Sequence, residues 1–152
     1  MPKETERKFM VRNEVWHKVI KPDPVLIHQG YLLITEETTI RVRYTETKGA
    51  MAIKGRHQGA SRDEYEYEIP IEEAKEIFKN HCQKTLSKKR FKIPAGSMIW
   101  EVDEYLNRLS GLIIAEVELT SENQSIGTIP EWIGEEVTKD IKYSNAFLAS
   151  MV

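Results

Sequence analysis

The chain has 152 residues, of which 22 are Lys or Arg and 24 are Asp or Glu, giving a formal net charge of −2. This length fits a single domain, residues 1–152, and the balanced charge argues against a strongly basic nucleic-acid-binding protein. The single cysteine, Cys82, excludes an intramolecular disulfide framework, and the four histidines are too widely spaced for a short zinc motif. No apolar run approaches a membrane span or a secretory leader, so we expect a cytoplasmic protein that binds neither membranes nor nucleic acid.

Alternation of charged and apolar residues predicts a chain built mainly of β-strands. Segments such as T-T-I-R-V-R-Y and A-E-V-E-L repeat every two residues, as strands do. In chain order, the predicted strands are Glu4–Val11, Ile27–Thr35, Thr38–Tyr44, Met51–Lys54, Tyr65–Pro70, Lys88–Ile93, Met98–Tyr105 and Ala115–Leu119. Short strands with hairpin-length gaps favour a mainly β (α+β) fold in which an eight-stranded antiparallel sheet closes into a barrel.

Three short helices are predicted to flank the strands. The first, Asn13–Ile20, would have Asn13 as its N-cap and an apolar stripe on one face. The second, Glu72–His81, places its acids early and a lysine late, as the helix dipole favours. The third covers Ser144–Met151 near the end of the chain.

Several predicted strands carry like-charged residues two positions apart, which places both side chains on one face of the strand. These residues are Glu4 and Glu6, Arg41 and Arg43, Lys88 and Arg90, Glu101 and Asp103, and Glu116 and Glu118, with Lys8 and Lys54 as further bases. Neighbouring like charges destabilise a sheet unless opposite charges lie between them. Basic and acidic strands that line a common space would meet this condition.

The charge pattern therefore predicts a site for a multiply charged anion and its accompanying cations. Guanidinium and ammonium groups suit a chain of phosphates, and carboxylates without histidine or thiolate suit Mg²⁺ or Mn²⁺. The alternative interpretation is a solvated strand face on which charges pair by chance. The pattern by itself does not distinguish binding of a polyanion from its cleavage.

Glu4-Thr5-Glu6-Arg7-Lys8 forms an E-x-E-x-K motif in the first predicted strand. It resembles the opening strand of the CYTH superfamily, the triphosphate tunnel metalloenzymes. Further segments resemble the family in the same order: Gln29–Leu32, Arg41–Arg43, Ile53–Gly55, Ser61–Glu66, Lys88–Phe91, Glu101–Asp103, Ala115–Glu118 and Gly134–Thr138. The resemblance covers nearly the whole chain and is strongest to short bacterial members that hydrolyse inorganic tripolyphosphate.

The resemblance implies a barrel whose interior is a charged tunnel, with Mg²⁺ or Mn²⁺ as cofactor. The implied substrate-binding residues are Lys8, Arg41, Arg43, Lys54, Arg62, Lys88 and Arg90. The implied metal-binding residues are Glu4, Glu6, Glu101, Asp103, Glu116 and Glu118. A C-terminal lysine is expected to close over the phosphates, and between Lys139 and Lys142 we favour Lys142.

The implied reaction is divalent-metal-dependent hydrolysis of a small linear triphosphate, with inorganic tripolyphosphate as the favoured substrate. Glu64 or Asp103 would take the proton of the attacking water, and Tyr31 would help to place it. The alternatives are a class IV-type adenylyl cyclase, a thiamine or nucleoside triphosphatase, and a non-catalytic polyphosphate-binding module. Homodimerisation would cover the outward apolar faces of the strands.

Overall fold

The computed structural model describes residues 2–151, so Met1 and Val152, the ends of the predicted domain, lie outside the described residues. The strands are β1 (Lys3–Val11), β2 (Val25–Ile34), β3 (Thr38–Tyr44), β4 (Gly49–Gly55), β5 (Ser61–Ile69), β6 (Lys84–Ala95), β7 (Met98–Tyr105), β8 (Ile113–Glu118) and β9 (Ile133–Glu136). The helices are α1 (Asn13–Trp16), α2 (Ile71–His81) and α3 (Asn145–Ser150), with 3-10 turns at Asn107–Leu109 and Ile141–Tyr143. Along residues 2–151, no helix is long and apolar enough to cross a bilayer.

Strands β1 to β8 form a closed antiparallel barrel, as the sequence predicts. The strand order is β5-β4-β3-β2-β6-β7-β8-β1, and β1 then pairs with β5 to complete the ring. β9 is an additional short strand that pairs with the end of β1, where Phe9 faces Glu136 and Val11 faces Ile133. The closing β1–β5 contact is short, with Lys3, Glu4 and Thr5 opposite Asp63, Arg62 and Ser61.

The outer face of β1, β6, β7 and β8 is covered by an aromatic core. Trp16 of α1 is fully buried, and its ring lies 5.6 Å from Phe91 and 5.0 Å from Trp132. Trp100 of β7 packs edge-on against Phe9 and Trp132, at 5.5 and 6.0 Å between ring centroids. Because these strands bury their apolar parity outside the barrel, their charged parity is directed inside.

Helix α2 covers the outer face of β2, β3 and β4. Phe78 packs edge-on against Tyr44, with ring centroids 5.4 Å apart. Gly49 of β4 permits the close approach, because a Cβ there would lie only 2.7 Å from the Cβ of Ala74. The predicted helix Glu72–His81 is confirmed, with Ile71 as its first residue.

The predictions for the two helices near the chain ends differ in accuracy. α1 is shorter than predicted, and Asn13 is its first residue instead of its N-cap, because the Asn13 side chain donates to the carbonyl oxygen of Gly111 at 3.1 Å. α3 is confirmed, with the Ser144 hydroxyl accepting a hydrogen bond from the Phe147 amide at 3.2 Å. β9 was not predicted, since I-G-E-E is too short to show an alternating pattern.

Candidate active site

The inward parity of the barrel strands lines a cavity of about 870 Å³. It brings together most of the predicted site residues: Glu4, Glu6, Lys8, Tyr31, Arg41, Arg43, Lys54, Arg62, Glu64, Lys88, Arg90, Glu101, Glu116 and Glu118. Of the predicted residues, all within residues 2–151, only Asp103 and Lys142 do not line it. Apart from Asp103, the members of the like-charged pairs therefore face a common space inside the barrel and not solvent outside it.

Small residues on β4 make room for the two arginines of β3. Arg41 lies opposite Ala52 and Arg43 lies opposite Ala50 in the antiparallel register. Ala52 is fully buried, and Arg41 is only 5% exposed. A larger side chain at either alanine would occupy space that the long guanidinium side chains use on the same inner face.

The bases on this side of the cavity crowd one another. Arg41 contacts Glu66 at 3.0 Å and Arg43 reaches the same carboxylate oxygen at 3.4 Å. The charge of Arg41, then burial and the charge of Arg90, lower the pKa of Arg43 to about 10. Even so, the guanidinium stays charged at neutral pH, so this wall keeps positive charge that an anion would neutralise.

Glu4 is the centre of an ion-pair cluster at the closing seam of the barrel. Its carboxylate lies 2.9 Å from Lys54 and 3.2 Å from Arg62, and Lys54 also contacts Glu64 at 3.2 Å. Burial acts to raise the pKa of Glu4, but the charges of Lys54 and Arg62 outweigh it and hold that pKa well below its usual range. Glu4 is therefore ionised and already compensated by bases.

A second acidic cluster lies between β1 and β8 and has fewer bases. Glu6 faces Glu118 across the two strands, and Lys8 faces Glu116. Burial and the charges of Glu116 and Glu4 raise the pKa of Glu6 well above its ordinary value. The pKa of Glu116 is lowered despite burial, by Lys8 and by a hydrogen bond from Glu6. With the pKa of Glu6 raised and that of Glu116 lowered, Glu6 holds a proton more firmly than Glu116 does.

Asp103 lies behind the cavity wall and is fully buried. Lys88 donates to one of its oxygens at 2.9 Å, and Arg90 forms a bidentate pair with it at 2.8 and 2.9 Å. The positive charges of Arg90 and Lys88 lower the pKa of Asp103 against the opposing effect of burial. This placement suits a residue that orients Lys88 and Arg90, and it does not present Asp103 to a metal ion or to water in the cavity.

The C-terminal segment supplies the remaining wall. Lys139 lines the cavity, whereas Lys142 keeps 66% of its side chain exposed and lies 3.9 Å from Asp140. Asp140 caps the 3-10 turn by accepting from the Lys142 amide at 3.1 Å. The structure thus places Lys139, and not the favoured Lys142, at the cavity.

Some cavity residues were not identified from the sequence as part of the site. They are His57 in the β4–β5 loop, Thr138 after β9, and Asn145 on α3. Burial and the charges of Arg62 and Lys8 lower the pKa of His57 to about 4. These residues lie outside the alternating strands, so no periodic signal indicated their direction.

The carboxylates have the chemistry of a site for a hard divalent cation. Within residues 2–151, no three potential ligands are already gathered as a metal cluster. The acids are held instead by bases, and the charges of Glu6 and Glu116 oppose each other. A divalent cation at this pair would relieve the repulsion between the two carboxylates, so the donor set fits Mg²⁺ or Mn²⁺.

The closed barrel and its charged interior define a class of protein, and this chain belongs to the CYTH domain family, whose model matches residues 2–146. It is 44% identical to an inorganic triphosphatase of Acetivibrio thermocellus over 149 residues, which cover 97% of this chain and 94% of the relative. It is 35% identical to an inorganic triphosphatase of Nitrosomonas europaea, over 96% of each protein. The crystal structure of an inorganic triphosphatase superposes with a TM-score of 0.68 at 30% identity, over 98% of this chain and 99% of that one.

Proposed function

We propose that this protein hydrolyses inorganic tripolyphosphate to pyrophosphate and phosphate in a reaction that requires a divalent cation. The observation that carries this proposal is the cavity inside the barrel, where arginines and lysines share one lining with two mutually repelling carboxylates, Glu6 and Glu116. The inorganic triphosphatases to which the chain is similar at 44% and 35% identity support the same reaction class.

The bases bind and orient the triphosphate. Those that line the cavity are Lys8, Arg41, Arg43, Lys54, Arg62, Lys88, Arg90 and Lys139. They are held before substrate arrives by fixed partners, such as Glu66 for Arg41 and Asp103 for Arg90. Charge that develops on phosphate oxygens in the transition state thus meets donors that need little reorganisation.

Glu6, Glu116 and Glu118 would hold the divalent cation, with Glu4 and Glu101 beside them. The donor set of carboxylate oxygens suits Mg²⁺ or Mn²⁺. Such a cation supplies Lewis-acid neutralisation of phosphate charge and activation of water. The carboxylates contribute the negative charge that selects a cation. Lys8, 3.9 Å from Glu116, partly balances that charge when no metal ion is bound.

Glu64 is better placed than Asp103 to accept the proton of the attacking water. It lines the cavity, retains 24% exposure of its side chain, and contacts Lys54 at 3.2 Å. Burial and the charge of Glu4 raise the pKa of Glu64, whereas the charge of Lys54 acts to lower it. The raised pKa favours proton uptake by Glu64. Burial also raises the pKa of Tyr31, so its hydroxyl stays protonated and serves as a hydrogen-bond donor.

Phosphate release from tripolyphosphate, ATP and thiamine triphosphate tests the proposal. Each reaction is run with Mg²⁺, Mn²⁺ or a chelator, using the unmodified protein, Arg41→Ala and Glu116→Gln. Lys75→Ala is the matched control, because Lys75 pairs with Glu72 on the outer helix α2, at 3.6 Å and away from the cavity. We expect metal-dependent release from tripolyphosphate that is lost in both cavity variants and kept in the control.

The other outcomes identify the alternative functions. Cyclic AMP formed from ATP without phosphate release would indicate a cyclase. A preference for ATP or thiamine triphosphate would indicate an organic triphosphatase. Metal-dependent binding of tripolyphosphate without turnover of any substrate would leave a polyphosphate-binding module.

A further inference from the structure

One polar side chain of α3 joins the helix to the cavity. Asn145 is the first residue of α3 and lines the cavity. Ser144 already caps the helix, so the Asn145 side chain is not required for capping. Its amide oxygen accepts hydrogen bonds from the Tyr105 hydroxyl at 2.7 Å and from the Lys88 ammonium at 3.2 Å.

The partners of Lys88 fix the direction of its ammonium group. The side chain is 1% exposed, and an ammonium carries three N–H donors. Within residues 2–151, one donor goes to Asp103 at 2.9 Å and another to Asn145. Lys88 also lines the cavity, so the remaining donor is available to a phosphate oxygen. Two protein acceptors therefore determine where that donor is directed.

Tyr105 holds the Asn145 amide in the required orientation. Burial, together with the charges of Asp103 and Glu116, raises the pKa of Tyr105 well above its ordinary value. Its hydroxyl therefore remains protonated and donates. Because Lys88 and Tyr105 both present donors, the oxygen of the Asn145 amide must face them and the amino group must face away.

The position of Asn145 depends on the docking of α3 against the barrel. Leu148 and Ala149 are buried in a cluster with Leu86 and Ile114 of the barrel strands. Arg108 clamps the other end of the helix by donating to the carbonyl oxygens of Met151, Thr85, Leu148 and Ala149, at 2.7 to 3.1 Å. The helix is thus anchored at its C-terminal end by Arg108 and reaches the substrate cavity at its N-terminal end through Asn145.

We propose that Asn145 is a positioning residue for the triphosphate, which directs the Lys88 ammonium into the cavity so that the docked C-terminal helix completes the substrate site. The proposal rests on the proposed function, because it assigns the substrate of that same cavity. Asn145 acts through Lys88 and does not itself contact the reacting atoms.

The test is a double-mutant cycle with Asn145→Leu, Lys88→Met and the double variant, each assayed for kcat and KM with tripolyphosphate and Mg²⁺. We expect Asn145→Leu to raise KM on the order of tenfold, the size of one hydrogen bond to a charged group, with kcat changed by less than about threefold. In the Lys88→Met background, Asn145→Leu should raise KM no further, because the group through which it acts is gone.

Arg108→Gln is the control for loosening of the helix. It removes side-chain hydrogen bonds at the far end of α3 without touching Lys88. We expect its melting temperature to fall at least as far as that of Asn145→Leu while KM stays within about twofold of the unmodified protein. An equal rise in KM for Arg108→Gln, or a full additional rise in the Lys88→Met background, would overturn the positioning role.

Calorimetric binding of tripolyphosphate in chelator separates this proposal from hydrolysis. Asn145→Leu should weaken that binding on the order of tenfold, in step with its KM. If the unmodified protein binds tripolyphosphate but does not cleave it when Mg²⁺ or Mn²⁺ is supplied, the hydrolysis proposal fails while the binding comparison still decides the role of Asn145. If the protein cleaves tripolyphosphate and Asn145→Leu binds it normally, the positioning role fails alone.

Discussion

Two groups of buried charges share the interior of this barrel and are balanced in opposite ways. Around Asp103, a carboxylate receives three hydrogen bonds from Lys88 and Arg90 at 2.8 to 2.9 Å. Around Glu6, carboxylates face one another across β1 and β8, and burial with the charges of Glu116 and Glu4 raises the pKa of Glu6. The Asp103 cluster is therefore compensated by its own chain, and the Glu6 cluster is not.

This difference distinguishes carboxylates that stabilise the shape of the site from carboxylates that are available to bind a cation. A buried ion pair with complete partners gains nothing from a further cation, whereas repelling carboxylates do. The contrast also explains why two acids on adjacent inward-facing strands, Asp103 and Glu116, have different roles. Compensation by neighbours distinguishes them, although both carry the same charge and face the same barrel interior.

Asp103→Ala should have the largest effect, because it leaves the buried Lys88 ammonium without its carboxylate partner and leaves Arg90 with its longer, 3.4 Å contact to Glu101. We expect the free energy of unfolding to fall by about 3–5 kcal/mol, together with loss of activity. Urea denaturation measures the first quantity and phosphate release the second. Glu72→Ala is the control, because its 3.6 Å pair with Lys75 on the outer helix α2 is exposed. An Asp103→Ala protein as stable as the control would contradict the comparison.

Glu6→Gln should affect activity strongly and stability little. Glutamine is the neutral isostere of the protonated form that the raised pKa of Glu6 favours, and its amide can still donate to Glu116. We expect metal-dependent phosphate release to fall about 100-fold or more, while the free energy of unfolding in chelator changes by less than about 1 kcal/mol. A stability loss as large as that of Asp103→Ala would show that the two clusters are balanced alike.

The pH dependence of stability should also distinguish the Glu6 cluster. The pKa of Glu6 is raised in the folded protein, so its contribution to stability is complete below the ordinary glutamate pKa and is lost as pH rises through the raised value. In chelator, the melting temperature of the unmodified protein should therefore decline with pH more steeply than that of Glu6→Gln. Excess Mg²⁺ should remove this difference, and parallel curves in chelator would show that folding does not raise the pKa of Glu6.

Lys88→Met should reduce stability less than Asp103→Ala does. Arg90 keeps its two hydrogen bonds to Asp103, and burial already lowers the pKa of Lys88 to about 8, so the lysine charge is held at a cost. We expect the free energy of unfolding to change by less than about 2 kcal/mol, with tripolyphosphate affinity reduced. Urea denaturation compares the two variants, and a loss as large as that of Asp103→Ala would show that Arg90 alone does not compensate Asp103.

The sequence predicts the barrel and the direction of most charged side chains, because both follow from a two-residue period. Arg41 and Arg43, or Glu116 and Glu118, share a strand face wherever the strand lies. That period assigns a face but not a depth within the barrel. Asp103 has the same parity as Glu101, yet Glu101 lines the cavity and Asp103 lies behind it.

Residues outside the strands could not be placed from the sequence. Lys139 and Lys142 are three positions apart, and the cap that Asp140 forms on the 3-10 turn decides which one faces the cavity. Asn145 enters the site because α3 docks on the barrel end through Leu148 and Ala149. Tertiary packing determines both outcomes, and no local spacing reports it.

The short β1–β5 seam has a consequence for how the chain folds. β1 pairs over five residues with β8, more than a hundred residues later in the chain, so the edge of β1 that meets β8 stays open until β8 has been made. Contacts so distant in sequence form slowly, and ring closure at Lys3–Thr5 involves only three residue pairs. Because Glu4 and Arg62 lie opposite each other in this seam, a bound metal–triphosphate complex would bridge it. Amide hydrogen exchange at the seam should then report occupancy of the cavity, with slower exchange when the complex is bound.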